Sequence, residues 1–204
     1  MITIIDLGLG NIGSIHNMLG RLGEKATVAS SLSEISMATR LILPGVGAFD
    51  YAMSELQGNG MRDLLRVKVL EQKVPILGIC LGMQLLANIS EEGRLEGLGY
   101  IPGRAVKFKF DASYNLKVPH MGWNTIQVVD DSPLFAGFEQ NPRFYFAHSY
   151  YVVCDEASDV AAISDYGITF SSSVRRDNIY GVQFHPEKSH KFGMRLLSNF
   201  ARNT

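Results

Sequence analysis

The chain has 204 residues, 46% of them hydrophobic and 19% charged, with 19 basic side chains against 20 acidic ones. These values suit one globular domain over residues 1–204 and leave no basic excess for a nucleic acid or an anionic membrane to read. Cys80 and Cys154 are the two cysteines, so no disulfide framework is expected, and no apolar run approaches the length of a bilayer span. An acidic Asp6 soon after the first residue argues against a secretory leader, and a reducing cytoplasm is the expected compartment.

The first half alternates strand and helix signals. Ile2-Thr3-Ile4-Ile5 is a β-branched run ending at Asp6 and a glycine turn, after which Ile12, Ile15, Leu19 and Leu22 recur at helical spacing. Ala26–Ala29 reads as a second strand, and Leu41–Leu43 as a third, stopped by Pro44-Gly45-Val46-Gly47. Phe49, Met53 and Leu56 stripe the next helix. Val74–Ile79 is a fourth strand, continuously apolar as a strand covered on both faces should be, and it runs through Cys80 into a helix over Leu81–Ile89. This alternation predicts an α/β fold with a mostly parallel central sheet flanked by helices.

From about Ala105 strand signals dominate: Ala105–Phe108, Thr125–Val129, Phe144–Ala147, Tyr150–Val153, Ile168–Phe170 and Tyr180–Phe184. They are expected to add antiparallel strands and hairpins at one side of the sheet. A closing helix carries Phe192, Leu196 and Phe200 on one face. No internal repeat, low-complexity run or interdomain linker interrupts the chain.

Gly8-Leu9-Gly10-Asn11-Ile12-Gly13 fits the G-x-G-x-x-G pattern of dinucleotide sites, between a strand and a helix. That reading requires an acidic residue at the end of the second strand, and Ser30-Ser31 stands there. A tight glycine turn, available to a partner surface, is the better reading. Gly78-Ile79-Cys80-Leu81-Gly82 has the spacing of a nucleophile elbow, in which small flanking residues permit a strained turn. The helix from Leu81 would aim its first N–H groups and positive end at the sulfur, favouring a thiolate and a developing oxyanion. Set against this is the common case of a small buried cysteine before a helix.

His185-Pro186-Glu187 follows the Tyr180–Phe184 strand. A histidine at a strand end can reach Cys80 at a neighbouring end, with Glu187 to fix its tautomer; a purely structural histidine is the alternative. The two glycines of Pro44–Gly47 could let a peptide turn its N–H toward the active centre, or form a plain turn. His16, His120, His148 and His190 lack an evident catalytic partner and are expected to be structural or interfacial. Trp123 sits in a polar, glycine-containing loop as a core plug or an interface anchor. No close set of His, Cys and carboxylate residues has metal-ligand spacing.

In order along the chain, LPGVGAF, LGICLGMQLL, SEEG, GLGYIPG, KVPHMGWN, FYFAHSYYV and GVQFHPEKS resemble the glutaminase subunits of imidazole glycerol phosphate synthase. Those subunits are a branch of the class I, triad-type glutamine amidotransferases. The resemblance implies that Cys80 attacks the glutamine side-chain amide, His185 moves the protons and Glu187 orients His185. It implies an oxyanion hole from the N–H of Leu81 and one from Val46 or Gly47, and glutamine held by Gly45, Gln84, Ser149 and Tyr150. It implies no metal and no cofactor. Its partner would be a cyclase subunit with a (β/α)8 barrel, forming a heterodimer in which ammonia passes across the interface, with Asn11, Trp123 and Lys188 facing that partner. Leu7 departs from the family, which usually has an aromatic there, near the expected interface. The stretch from Lys188 to Met194 resembles paralogues that supply ammonia for sugar amidination in surface-polysaccharide pathways. A non-catalytic scaffold of the same fold is the alternative of another class.

Overall fold

The computed structural model describes residues 1–111, 116–138 and 142–204. The first half folds as β1 (Ile2–Ile5), α1 (Ile12–Arg21), β2 (Ala26–Ala29), α2 (Leu32–Ser36), β3 (Arg40–Gly45), α3 (Phe49–Gly58), α4 (Met61–Arg66), β4 (Ile76–Cys80) and α5 (Leu81–Leu85). The second half adds β5 (Ile89–Ser90), β6 (Gly103–Lys107), β7 (His120–Thr125), β8 (Gln127–Val128), β9 (Arg143–His148), β10 (Tyr150–Cys154), β11 (Val160–Asp165), β12 (Thr169–Arg176), β13 (Ile179–Val182) and α6 (His190–Asn203). The main sheet runs β2-β1-β3-β4-β13-β12-β10-β6-β5, with β11 on the other side of β12 and β8 beside β11.

The expected α/β architecture is therefore present, with differences in detail. β13 pairs parallel to β4, and β5 parallel to β6, so the second half is not purely antiparallel. β7 and β9 pair with each other in a separate two-stranded ribbon, which places Trp123 on a strand rather than in a loop. α5 ends at Leu85, short of the expected Ile89, because Ile89 and Ser90 leave it to pair with Arg104 and Ala105. Pro44 does not stop β3. Leu41 turns its N–H toward β4, onto the Pro75 carbonyl, so Pro44 three residues later directs its missing donor toward β1, beyond the last pair Ile4↔Ile42. A ladder bond is not lost there, and Pro44 and Gly45 still align with Ile79 and Cys80.

Besides β5 and β7, three elements were not foreseen: α2, α4 and β11. The first has an evident local cause. Ser31 accepts from the Glu34 N–H while its own N–H donates to the Glu34 carboxylate, a reciprocal cap that begins α2. Ser31 is thus a helix cap at the place where a dinucleotide site would need an acid.

The sheet separates two apolar layers. One packs Leu41, Leu43, Phe49, Met53 and Leu56 with Leu81, Met83 and Leu85. The other packs Ile4, Ile15, Leu19 and Ile42 with Phe144, Phe146, Phe184, Leu196 and Phe200. Helix α6 approaches the turn Pro186–Lys188 so closely that a Cβ on Gly193 would stand 1.7 Å from the Pro186 carbonyl oxygen. Gly20 of α1, by contrast, has open space around its missing side chain. Gly193→Ala should therefore lower unfolding free energy by about 3 kcal/mol, and Gly20→Ala should raise it by about 0.5–1 kcal/mol, in urea titrations followed by circular dichroism.

Candidate active site

β4 delivers Cys80 to the C-terminal edge of the parallel strands, where open α/β sheets place their ligands. The turn into α5 is tight. Cys80 has φ +55° and ψ −109°, a left-handed conformation that costs a non-glycine residue on the order of 1–3 kcal/mol. Glycines on both sides allow it. A Cβ on Gly78 would lie 2.6 Å from the Gly82 carbonyl oxygen, and one on Gly82 only 1.8 Å from that of Leu43. Leu81 opens α5, so its N–H has no acceptor within the helix and is free to face a ligand.

His185 arrives from β13. Val182 is in register with Ile79, one residue before Cys80, and His185 follows three residues later. Its N–H donates to the Tyr145 carbonyl at 2.8 Å, pinning it to the β7–β9 ribbon. Nδ1 lies 2.8 Å from Oε1 of Glu187, whose side chain is almost wholly buried. This leaves Nε2 to hydrogen-bond the Cys80 side chain. Burial alone would lower the imidazole pKa. The hydrogen bonds to Cys80 and Glu187, with their charges, outweigh burial and push it up to about 10. The geometry can therefore hold an imidazolium between a sulfur and a carboxylate.

Cys80 opens onto a cavity of about 300 Å³ lined by Val46, Gly47, Leu81, Gln84, Glu92, Pro119, Met121, Ala147, His148, Ser149 and Tyr150. Of the residues expected at this site, Val46, Gly47, Leu81, Gln84, Ser149 and Tyr150 line it directly. Gly45 lies behind them, paired with Cys80 and packed against Leu81. The first glycine turn also bears on this region: a Cβ on Gly10 would be 3.6 Å from the Gly45 nitrogen, and one on Gly47 would be 3.6 Å from Leu9.

Glu92 was not foreseen. It sits in an irregular loop, and its carboxylate accepts from the Phe49 N–H at the start of α3 at 3.0 Å. Asp50 fixes the same loop by accepting from the N–H groups of Arg94 and Leu95. The acidic pair before Gly93 was the available signal, but nothing local in the sequence places it beside Cys80.

His148, expected to be structural, lines the cavity and is hydrogen-bonded to His120 at 3.0 Å. The Tyr150 carbonyl can only accept, so His148 Nδ1 carries the proton directed at it, 2.8 Å away. His148 Nε2 then accepts from His120 Nδ1, and His120 Nε2 is left facing the Asn124 amide at 3.4 Å. Both rings are buried and neutral. Burial pushes His120 down to about 4; burial, with the charges of His120 and His185, takes His148 to about 3 despite its bond to Tyr150.

Among residues expected to face a partner, Trp123 is 40% exposed, packs edge-on to Tyr145 and stacks on His190. Lys188 lies over the same Tyr145 ring. Asn11 is exposed at the start of α1, accepting from Ser14. Leu7 is buried in the core rather than displayed on a surface. Among the described residues, no group of three His, Cys, Asp or Glu side chains is placed to hold a metal, and no helix is long and apolar enough to cross a membrane.

The description "Glutamine amidotransferase class-I" belongs to the family model that matches residues 3–204. The chain belongs to the class-I glutamine amidotransferases. It is 52% identical to an imidazole glycerol phosphate synthase subunit HisH 2 of Methanococcus maripaludis, covering 99% of both chains. It is 50% identical to the subunit HisH of Bdellovibrio bacteriovorus, over 98% of this chain and 99% of that one. In fold it matches a crystal structure of a glutamine amidotransferase with a TM-score of 0.74 at 20% identity, over 98% and 96% of the two chains. The structure of PurLQS from Thermotoga maritima matches with a TM-score of 0.72 at 17% identity, over 98% and 96%.

Two titrations follow from this geometry. In NMR titrations the His185 ring should remain protonated until about pH 10, and Cys80→Ala should lower its midpoint, because the raising influence of the sulfur is gone; an unchanged midpoint would refute the pairing. The neutral His120–His148 pair acts with the opposite sign. The unfolded chain gains protons below about pH 6.5, whereas the folded chain declines them until about 4 and 3. Stability should therefore fall with acidification between pH 6.5 and 4, by about 1.4 kcal/mol per unit for each histidine, in urea titrations at stepped pH. His120→Asn should halve that slope.

Proposed function

We propose that the chain is the glutaminase subunit of imidazole glycerol phosphate synthase, acting as one amidotransferase domain over residues 1–204. The observation that carries this reading is the buried line Cys80–His185–Glu187 opening on a cavity of amino-acid size. The Cys80 thiolate attacks the glutamine amide carbon, and the electron pair of the C=O bond moves to oxygen. The N–H of Leu81, with one from Val46 or Gly47, stabilises that oxyanion. His185, held by Glu187, gives its Nε2 proton to the departing nitrogen. The C–N bond breaks, releasing ammonia and leaving a thioester on Cys80. His185 then takes a proton from water, hydroxide adds to the thioester carbon, and the C–S bond breaks to release glutamate and restore the thiolate.

Gln84, Ser149 and Tyr150 hold the glutamine, with Gly45 behind them in the cavity floor. Glu92 supplies negative charge suited to the α-ammonium group. No cofactor or metal takes part.

Ammonia passes to a cyclase subunit with a (β/α)8 barrel, seated against the side bearing Asn11, Trp123 and Lys188, in a cytoplasmic heterodimer. The cyclase product is imidazole glycerol phosphate, released with AICAR in histidine synthesis. The Pro44–Gly47 turn gives that partner a means of control, by selecting which peptide orientation is populated.

Glutamine turnover should be low for the chain alone and rise on adding the barrel subunit. In that complex Cys80→Ala should lower turnover about 10³-fold or more, and Glu187→Gln about 10²-fold or more with little change in KM, measured by glutamate release. Undiminished turnover in Cys80→Ala would leave a scaffold role instead. Deleting the gene should impose a histidine requirement; normal growth without histidine, with a lost surface-polysaccharide modification, would move the acceptor to the sugar pathway.

A further inference from the structure

Gln183 lies between β13 and His185 and is fully buried. Its backbone N–H donates to the Ser172 carbonyl at 3.0 Å, so the residue is anchored in the sheet. Gln183 and His185 flank Phe184 in the bend by which the chain leaves β13. Both reach Cys80: the Gln183 amide nitrogen is 3.8 Å from Sγ.

The direction of this contact is fixed by a chain of hydrogen bonds. The Tyr150 carbonyl oxygen can only accept, so the group of Gln84 that faces it at 3.1 Å is the amide nitrogen. The same nitrogen lies 3.2 Å from Gln183, whose facing atom must then be its oxygen. The Gln183 nitrogen is left pointing at the sulfur as a donor. Cys80 is thereby offered an N–H on one side. On another it meets the Ala147 carbonyl, 3.9 Å away, which only a protonated thiol can use. The first contact favours thiolate, the second thiol.

We propose that Gln183 is a further catalytic residue: its amide N–H holds the Cys80 thiolate and ties the nucleophile to Gln84 in the cavity wall. The proposal rests on Cys80 being the nucleophile. When the C–S bond forms, the sulfur loses its charge and the Gln183 contact weakens. When the thioester collapses, the C–S electron pair returns to a sulfur facing the Gln183 N–H. The amide thus favours the thiolate both at rest and as the leaving group of deacylation.

The test is the pH dependence of Cys80 alkylation by iodoacetamide on the full chain, with Cys154→Ser as the common background. Gln183→Met keeps the shape and removes the donor. Its half-maximal pH should rise by about 0.5–1 unit. Gln183→Glu keeps the shape and brings a negative charge, and should raise it further. The His185 NMR midpoint should fall in Gln183→Met, as the ion pair weakens. A Met variant that melts cooperatively and alkylates with the parental profile overturns the proposal. If Gln183→Met does not fold, Gln84→Met frees the Gln183 oxygen instead; a smaller rise supports the proposal and no rise overturns it. Alkylation needs neither glutamine nor a partner. A chain that shows these shifts yet hydrolyses no glutamine would sink the functional reading and leave the role of Gln183 at the sulfur standing.

Discussion

The approach of α5 to β3 is the constraint on which the rest depends. Gly82 lies so close to the Leu43 carbonyl that any side chain would collide with it, and Gly78 stands almost as close to the helix. With the helix pressed onto the strands, the connecting residue has no room for an ordinary backbone conformation. Cys80 is forced into the left-handed region, with its sulfur raised above the sheet edge. The neighbouring ends then complete the site: β3 contributes the Pro44–Gly47 turn, and β13, in register with β4, contributes Gln183 and His185. Strain at one residue is maintained by packing over three elements, which is how a local penalty becomes a stable feature.

Around that sulfur the histidines are driven in opposite directions. His185 has an acceptor at each nitrogen and gains a proton. His148 and His120 have no carboxylate partner among their hydrogen bonds and lose theirs to burial. The positive charge of His185 itself helps hold His148 neutral. The result is a proton held at one defined ring, beside a neutral pair of which His148 lines the cavity. Groups pushed apart in this way divide chemical work without ambiguity.

Much of this was legible in the sequence because it is local. The first parallel-strand and helix signals, the glycine-flanked Cys80 and the His185-Pro186-Glu187 spacing are each written within a few residues. What escaped depends on distant chain. Glu92 reaches the cavity only because Phe49 and Asp50, far earlier in the chain, hold its loop. The neutrality of His120 and His148 follows from burial against each other across two strands. β7 reads as a polar loop because only one of its faces is covered, and its alternation is broken by Gly122 and Asn124. α5 stops early because β6, which follows it, claims Ile89 and Ser90.

The two-stranded ribbon carries a consequence for how such sequences can change. Along β7, His120 and Asn124 turn inward while Met121 and Trp123 turn outward, and β9 pairs with them residue by residue. Exposed and buried sides are therefore written on one strand as odd and even letters. Substitution can alter either set independently. A one-residue insertion or deletion would exchange them, burying Trp123 and exposing His120 in a single step. The spacing from His120 to Trp123 is thus a reading frame of its own kind, free to vary in letters and closed to any change in count.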